Sequence, residues 1–185
     1  GVDHLIYIPD RIKEGYGPNK KAFEKLKNDG VSVIITVDCG TTAFEPLSFG
    51  KSIGLDVIIV DHHIAEVGLP NAVAVINPNR LDEESRHTQL AAVGVSFLLI
   101  VALNRALREN GFFKTNSMIR EPNLMNLLDI VALGTVADMV PLTGVNRALV
   151  VQGLKIMAKR RNKGLSALAD VAGMDEAPST YHLGF

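Results

Sequence analysis

Two apolar runs in this chain end abruptly in residues that hold metals or move protons. Val57-Ile58-Ile59-Val60 runs into Asp61-His62-His63, and Val33-Ile34-Ile35-Thr36-Val37 runs into Asp38-Cys39-Gly40. Carboxylate oxygens and imidazole nitrogens together suit hard to borderline divalent cations. If the two runs are neighbouring strands, they deliver two aspartates and two histidines into adjacent loops, and metal-assisted chemistry is the expectation. Consecutive histidines at a strand end are expected to diverge, one toward a metal and one toward a substrate or an outer position. A third carboxylate, Asp138, closes Gly134-Thr135-Val136-Ala137-Asp138 among apolar neighbours. A carboxylate there needs a partner, which a metal would supply; a helix N-cap or an ion pair with an arginine is the alternative. Taken singly, Asp38 suits a helix cap equally well, and Asp61-His62-His63 suits a polar turn.

Two other groups could meet an anion. Arg11 precedes Glu14-Gly15-Tyr16-Gly17; its guanidinium can hold a phosphate through two parallel hydrogen bonds, although a surface turn explains the segment too. Lys155, Lys159, Arg160, Arg161 and Lys163 form a late basic cluster. It reads either as a solvated helix end favoured by the helix dipole or as a contact to a nucleic-acid backbone. Neither a Gly-rich dinucleotide fingerprint nor a Walker loop is present.

The elements that must position these residues alternate. A short strand is expected over Leu5–Ile8, a loop over Arg11–Asn19 and a helix over Lys20–Asn28 with Gly30 after its end. A strand follows over Val31–Val37, then a helix over Thr41–Ile53 capped by Thr41 or Thr42. Strands over Val57–Val60 and Ala72–Ile76 come next. Strand and helix in alternation predict an α/β fold, a parallel sheet flanked by helices. Continuous apolar runs are what strands buried on both faces require, and ligands in such folds gather at the carboxyl ends of strands. Leu81–Gln89 reads as a surface loop. Beyond it the pattern is helical, over Leu90–Asn110, Leu124–Leu133, Asn146–Lys159 and Leu165–Ala172. The expected division is an α/β part over residues 1–80 and a mainly helical remainder over 81–185.

Bulk properties constrain the partners. The 185 residues are 47% hydrophobic with a net charge of −1, so no global basic field argues for nucleic acid. One cysteine, Cys39, leaves no internal disulfide and fits a reducing, cytoplasmic compartment. Ser96, Asn104 and Arg105 interrupt the longest apolar stretch, Leu90–Leu107, so a buried helix is expected there rather than a membrane span.

The motifs in combination resemble the DHH phosphoesterase superfamily: Val37-Asp38-Cys39-Gly40, Asp61-His62-His63 and Gly134-Thr135-Val136-Ala137-Asp138. Tyr7-Ile8-Pro9-Asp10-Arg11, Glu14-Gly15-Tyr16-Gly17, Ile76-Asn77-Pro78-Asn79, Ala92-Val93-Gly94-Val95-Ser96-Phe97 and Asn146-Arg147 with Gln152-Gly153-Leu154 are similar to the RecJ exonucleases within it. The resemblance implies a 5′-to-3′ exonuclease on single-stranded DNA in repair and recombination. It implies two divalent ions, manganese or magnesium, and as partners a single-strand-binding protein and a helicase. It places Asp38, His62 and Asp138 on the metals, with Asp38 bridging. His63 falls on the scissile phosphate or just outside the metals, Asp61 behind a histidine and Arg11 on the substrate. Two such metals can activate water and stabilise a leaving oxygen, and imidazole mildly favours manganese.

The resemblance also implies an Asp-rich first motif upstream of residue 5, a Gly- and Asn-rich motif after Leu183-Gly184-Phe185 and a further nucleic-acid-binding domain. The chain is therefore expected to be an internal fragment that binds metal weakly and cleaves poorly, with an exposed sheet edge prone to association. Two alternatives stand beside the nuclease: a phosphoesterase for oligoribonucleotides, cyclic dinucleotides or pyrophosphate, and a non-catalytic scaffold.

Overall fold

The structure, a computed structural model, describes residues 2–116 and 118–184. Gly1 and Phe185, which bounded the expected fragment, lie outside them. The chain forms two compact units, Gly1–Glu84 and Ser85–Phe185.

The first unit holds helices α1 (Lys20–Asn28) and α2 (Phe44–Ser52) and strands β1 (Val33–Val37), β2 (Asp56–Val60) and β3 (Ala74–Ile76). The strands form a parallel sheet in the order β1-β2-β3. The register pairs Ile34 with Val57 and Thr36 with Ile59, so these side chains share one face. That face packs against the helices: Phe23 of α1 and Leu47 of α2 close on Leu55, Val57, Ile59 and Val75. Asn19 begins α1 by accepting the Ala22 N–H at 2.9 Å.

Three expectations need correction in this unit. Leu5–Ile8 is irregular chain rather than a strand. Its Leu5, Ile6 and Ile8 are exposed, and β propensity without a paired neighbour has nothing to stabilise. The edge strand β1 is buried on one face only, since Val33, Ile35 and Val37 are each about half exposed. Helix α2 starts at Phe44, with Ala43 before it and no side-chain cap. The threonine expected to cap it, Thr41, is 1% exposed and bonded elsewhere, as described below.

The second unit contains α3 (Ala92–Glu109), α4 (Phe112–Thr115), a 3-10 turn (Leu124–Leu127), α5 (Leu128–Ala137), α6 (Gly144–Met157), α7 (Lys163–Val171) and α8 (Thr180–Gly184). The expected Leu124–Leu133 helix thus divides into a 3-10 turn and α5, and α5 continues through Gly134 to Ala137. The short α4 and α8 carry too few turns to leave a periodic signal. Phe97, Leu128 and Val131 form the core with Val93, Leu124, Leu149 and Ile156. No helix is long and apolar enough to cross a membrane among the described residues.

Helices α5 and α6 cross closely at Gly153. A Cβ there would collide with the Leu128 carbonyl oxygen and stand 2.5 Å from the Ala132 Cβ. On an exposed helix a Gly→Ala change gains about 1 kcal/mol. Here Gly153→Ala is expected to lose about 3 kcal/mol, because overpacking forces the helices apart. Urea unfolding checks the sign, and a gain in stability would refute the close crossing.

Candidate metal centre

The parallel register that aligns Val37 with Val60 places the residues after them side by side. The ladder runs one step past both strands: the Asp38 N–H donates to the Val60 carbonyl at 2.9 Å and the Asp61 N–H to the Ile76 carbonyl at 3.0 Å. Two backbone features then turn the chain at the end of β1. Asp38 is left-handed at φ 62°, a conformation that Asp and Asn tolerate better than other non-glycine residues. Gly40 follows at φ 114°, and a Cβ there would meet the Thr36 Oγ1 at 2.9 Å. A strained residue at a strand end is a mark of a functional loop.

Asp38, His62 and His63 each offer one ligand atom, all within 4.8 Å of one another. Asp38 Oδ1 lies 3.2 Å from His62 Nε2. The two imidazoles, expected to diverge, instead meet edge to face with centroids 4.7 Å apart, and both contribute to the one cluster. Asp138 flanks the C-terminal end of α5 in the second unit.

Asp61 is buried behind the cluster and organises it. One of its oxygens, Oδ1, accepts the His62 N–H at 2.8 Å, the His63 N–H at 3.3 Å and the His63 Nδ1 at 2.7 Å. The other, Oδ2, accepts the Thr41 N–H at 3.0 Å. Burial alone raises a carboxyl pKa. Here the hydrogen bonds from His63, from the Thr41 hydroxyl and N–H, and from the His62 N–H outweigh it and bring Asp61 down to about 2. An ionised Asp61 can only accept, so His63 Nδ1 carries the proton and Nε2 presents its lone pair. This is the carboxylate–histidine pairing that fixes a ligand's tautomer and ring orientation.

Several supporting residues received no individual role from the sequence. Asn77 donates to the Thr41 hydroxyl at 2.9 Å and to the His63 carbonyl at 2.8 Å. Asn79 donates to the His62 carbonyl at 2.5 Å, and its own N–H is held by Asn77 Oδ1 at 2.8 Å. The loop after β3 therefore clamps the loop after β2. Two amides flanking Pro78 directly after a strand were the available signal. Asn77→Ala is expected to take a partner from the Thr41 hydroxyl, the His63 carbonyl and the Asn79 N–H and to cost about 2 kcal/mol. Metal affinity should fall about tenfold or more as the His63 backbone loosens. Thermal melts with and without Mn²⁺ check both, and a variant identical to the parent in both would remove Asn77 from this role.

Arg11 and Tyr16 approach from the loop before α1. The Tyr16 hydroxyl donates to the Asp38 carbonyl. Its ring lies 6.1 Å from the His63 ring and the Arg11 guanidinium 5.7 Å from its centroid. Burial, then the charges of Asp38 and Asp61, push the Tyr16 hydroxyl up to about 12. Burial, then Asp61 and Asp38, push the Cys39 thiol up to about 11. Both stay protonated at neutral pH in the metal-free chain.

One carboxylate and two imidazoles, pre-aimed by a buried aspartate, fit a divalent cation such as Mn²⁺. When bound, such an ion supplies Lewis-acid polarisation of a phosphoryl oxygen or of water. The chain's own part is to hold Asp38 and His62 at contact distance, fix the His63 tautomer and bring the Arg11 cation beside the cluster.

A model of the DHH family, N-terminal domain, matches residues 1–135. The single-stranded-DNA-specific exonuclease RecJ of Salmonella typhimurium is 42% identical over 177 residues, covering 95% of this chain and 30% of that protein. The RecJ of Bacillus subtilis is 40% identical over 170 residues, covering 92% of this chain and 20% of that protein. A crystal structure of exonuclease RecJ bound to manganese aligns at a TM-score of 0.78 and 31% identity, over 97% of this chain and 42% of that one. RecJ from Thermus thermophilus in complex with Mn²⁺ aligns at 0.67 and 30% identity, over 88% of this chain and 23% of that one. The chain spans less than a third of the length of these two curated relatives.

Proposed function

The chain belongs to the DHH family, and on that premise we propose that it is the metal-holding part of an exonuclease that digests single-stranded DNA from the 5′ end. The convergence of Asp38, His62 and His63 at the ends of parallel strands carries the reading. The RecJ relatives, two of them solved with manganese, supply the substrate class. Manganese or magnesium would be held by Asp38 and by His62. Asp138 joins them on the family resemblance alone. The resemblance places His63 on the scissile phosphate or just outside the metals; its Nε2, turned toward Asp38 and His62, instead makes it a further ligand, with Asp61 assigned to its orientation and Arg11 to the substrate. A role in DNA repair and recombination, in the cytoplasm and beside a single-strand-binding protein and a helicase, is part of the proposal on the family resemblance.

End-labelled oligonucleotides incubated with the full-length protein test the reading. Mononucleotides should be released from the 5′ end of single strands with Mn²⁺ or Mg²⁺, and none with EDTA. Hydrolysis confined to dinucleotides, cyclic dinucleotides or pyrophosphate would make the protein a small-substrate phosphoesterase instead. Metal binding without any hydrolysis would make it a scaffold.

A further inference from the structure

The whole chain carries a net charge of −1, yet the 31 residues from Met139 to Ala169 hold six Lys and Arg and no Asp or Glu, leaving the rest of the chain at −7. The charge concentrates where α6 gives way to α7. Lys155, Lys159, Arg161 and Lys163 are all exposed there, and no described residue forms an ion pair with any of the four. From this concentration we propose that the α6–α7 junction binds the sugar-phosphate backbone of a nucleic-acid strand. The proposal deepens the exonuclease reading and rests on it for the choice of polyanion.

The helix dipole does not account for the cluster. Lys155 and Lys159 stand at the C-terminal end of α6, where cations are favoured. Arg161 and Lys163 instead stand at the N-terminal end of α7, which starts at Lys163. Cations are disfavoured and anions welcome at that end. Half the cluster thus opposes its local field, and an incoming phosphate would relieve this.

The junction is also held in shape. Arg160 sits at φ 49° and, unlike its neighbours, is committed to structure. It bonds Asp170 and donates to the Met174 carbonyl at 3.2 Å. The Ser166 hydroxyl donates to the Arg160 carbonyl at 2.9 Å. The Asn162 side chain caps Gly164 and Leu165 at 3.1 and 3.2 Å. The four other cations therefore project from a fixed turn. Between Lys155 and Lys163 no aromatic residue occurs, and Ile156 and Met157 are only partly exposed. A protein interface would centre on such apolar anchors, and base stacking would need an aromatic. Bare cations match phosphates, whose contacts position a strand without reading its sequence.

Anisotropy of a labelled oligothymidylate in EDTA, over a salt series, tests this with the full-length protein and its K155Q/K159Q/R161Q/K163Q variant. For every phosphate that the protein no longer neutralises, the slope of log affinity against log salt becomes shallower by about 0.7. The variant should bind at least about tenfold more weakly near 50 mM salt and lose about 3 from the slope. Its melting temperature and its stabilisation by Mn²⁺ should match the parent's. The K159Q/R161Q pair alone should lose about half as much slope, a second reading should the quadruple variant fold poorly. A parent that binds oligothymidylate while both variants keep its slope overturns the patch and leaves the exonuclease reading standing. A parent that binds no oligothymidylate overturns both. Variants that keep the slope but lose retention on polyglutamate would make this an acidic-protein surface and likewise overturn the proposal.

Discussion

Replacing Asp38 with asparagine is expected to lower the Mn²⁺ affinity of the full-length protein by more than about a hundredfold while leaving its metal-free melting temperature unchanged. Asparagine is chosen because Asp38 is left-handed at φ 62°. Asn accepts that backbone as Asp does, whereas alanine would add about 1–2 kcal/mol of strain. The backbone bonds that fix the turn, from Tyr16 to the Asp38 carbonyl and from the Asp38 N–H to Val60, survive the change. The Asp38 side chain is 53% exposed, so its removal leaves no buried charge without a partner. What is lost is the cluster's one carboxylate. Outer partners of metal ligands cost about 10- to 100-fold in affinity when removed, and the loss of a direct carboxylate ligand costs more. The readout is the rise in melting temperature on adding Mn²⁺. A hundredfold weaker site loses about 2.7 kcal/mol of that stabilisation at saturation. Should the variant gain as much from Mn²⁺ as the parent, Asp38 is no ligand. Single-strand cleavage should fall in step with affinity.

The parts of this site legible in the sequence are those set by local pattern. Apolar runs with β-branched residues marked β1 and β2, and their abrupt polar ends marked Asp38 and Asp61-His62-His63. Parallel pairing then brought the two ends together, because in a parallel sheet all carboxyl ends share one side. Helix α1 matched its expected bounds because its apolar spacing, its Asn19 cap and the glycine beyond it agree. The misreadings share a physical cause, which is competition from distant residues. Thr41 looked like a helix cap, but Asp61 and Asn77, 20 and 36 residues away, claim its N–H and hydroxyl. The apolar run at Leu5–Ile8 looked like a strand and found no partner among the described residues. Gly134 looked like the end of a helix, but α5 continues through it, with the Val93 side chain packed where a Cβ would stand. The convergence of His62 and His63 was hidden for the same reason. The His63 ring is turned by its hydrogen bond to Asp61, the His62 ring lies against Asp38, and Asn77 and Asn79 hold the His63 and His62 carbonyls; the backbone alternation that predicts divergence says nothing of these.

Asp61 is where folding and metal binding meet, so Asp61→Asn is expected to weaken both. The Asp61 side chain is 2% exposed and accepts from His63 Nδ1, Thr41 and two backbone N–H groups. An asparagine of the same shape must turn an N–H₂ toward one of these donors, and either the Thr41 side or the His63 side is lost. A hydrogen bond to a buried charged group is worth about 1.5–3 kcal/mol, so at pH 7 in metal-free buffer the variant should be less stable by about 3 kcal/mol. The sign of the pH dependence follows from the depressed pKa. Asp61 titrates at about 2 in the folded chain, against 3.8 for an ordinary aspartate. Its contribution is therefore fully present above about pH 4 and lost as the pH falls toward 2, a span worth about 2 kcal/mol. Urea midpoints of parent and variant should lie well apart at pH 7 and approach each other below pH 4. A gap that stays constant with pH would mean that packing, and not the ionised carboxylate, is what Asp61 supplies. The second consequence concerns the metal. Without an acceptor that must take a proton, His63 is free to carry it on either nitrogen and to rotate, so its Nε2 lone pair is offered only part of the time. Mn²⁺ affinity should fall about 10- to 100-fold, less than for Asp38→Asn. An equal or larger loss at Asp61 than at Asp38 would reverse the assignment of inner and outer carboxylate made from this geometry.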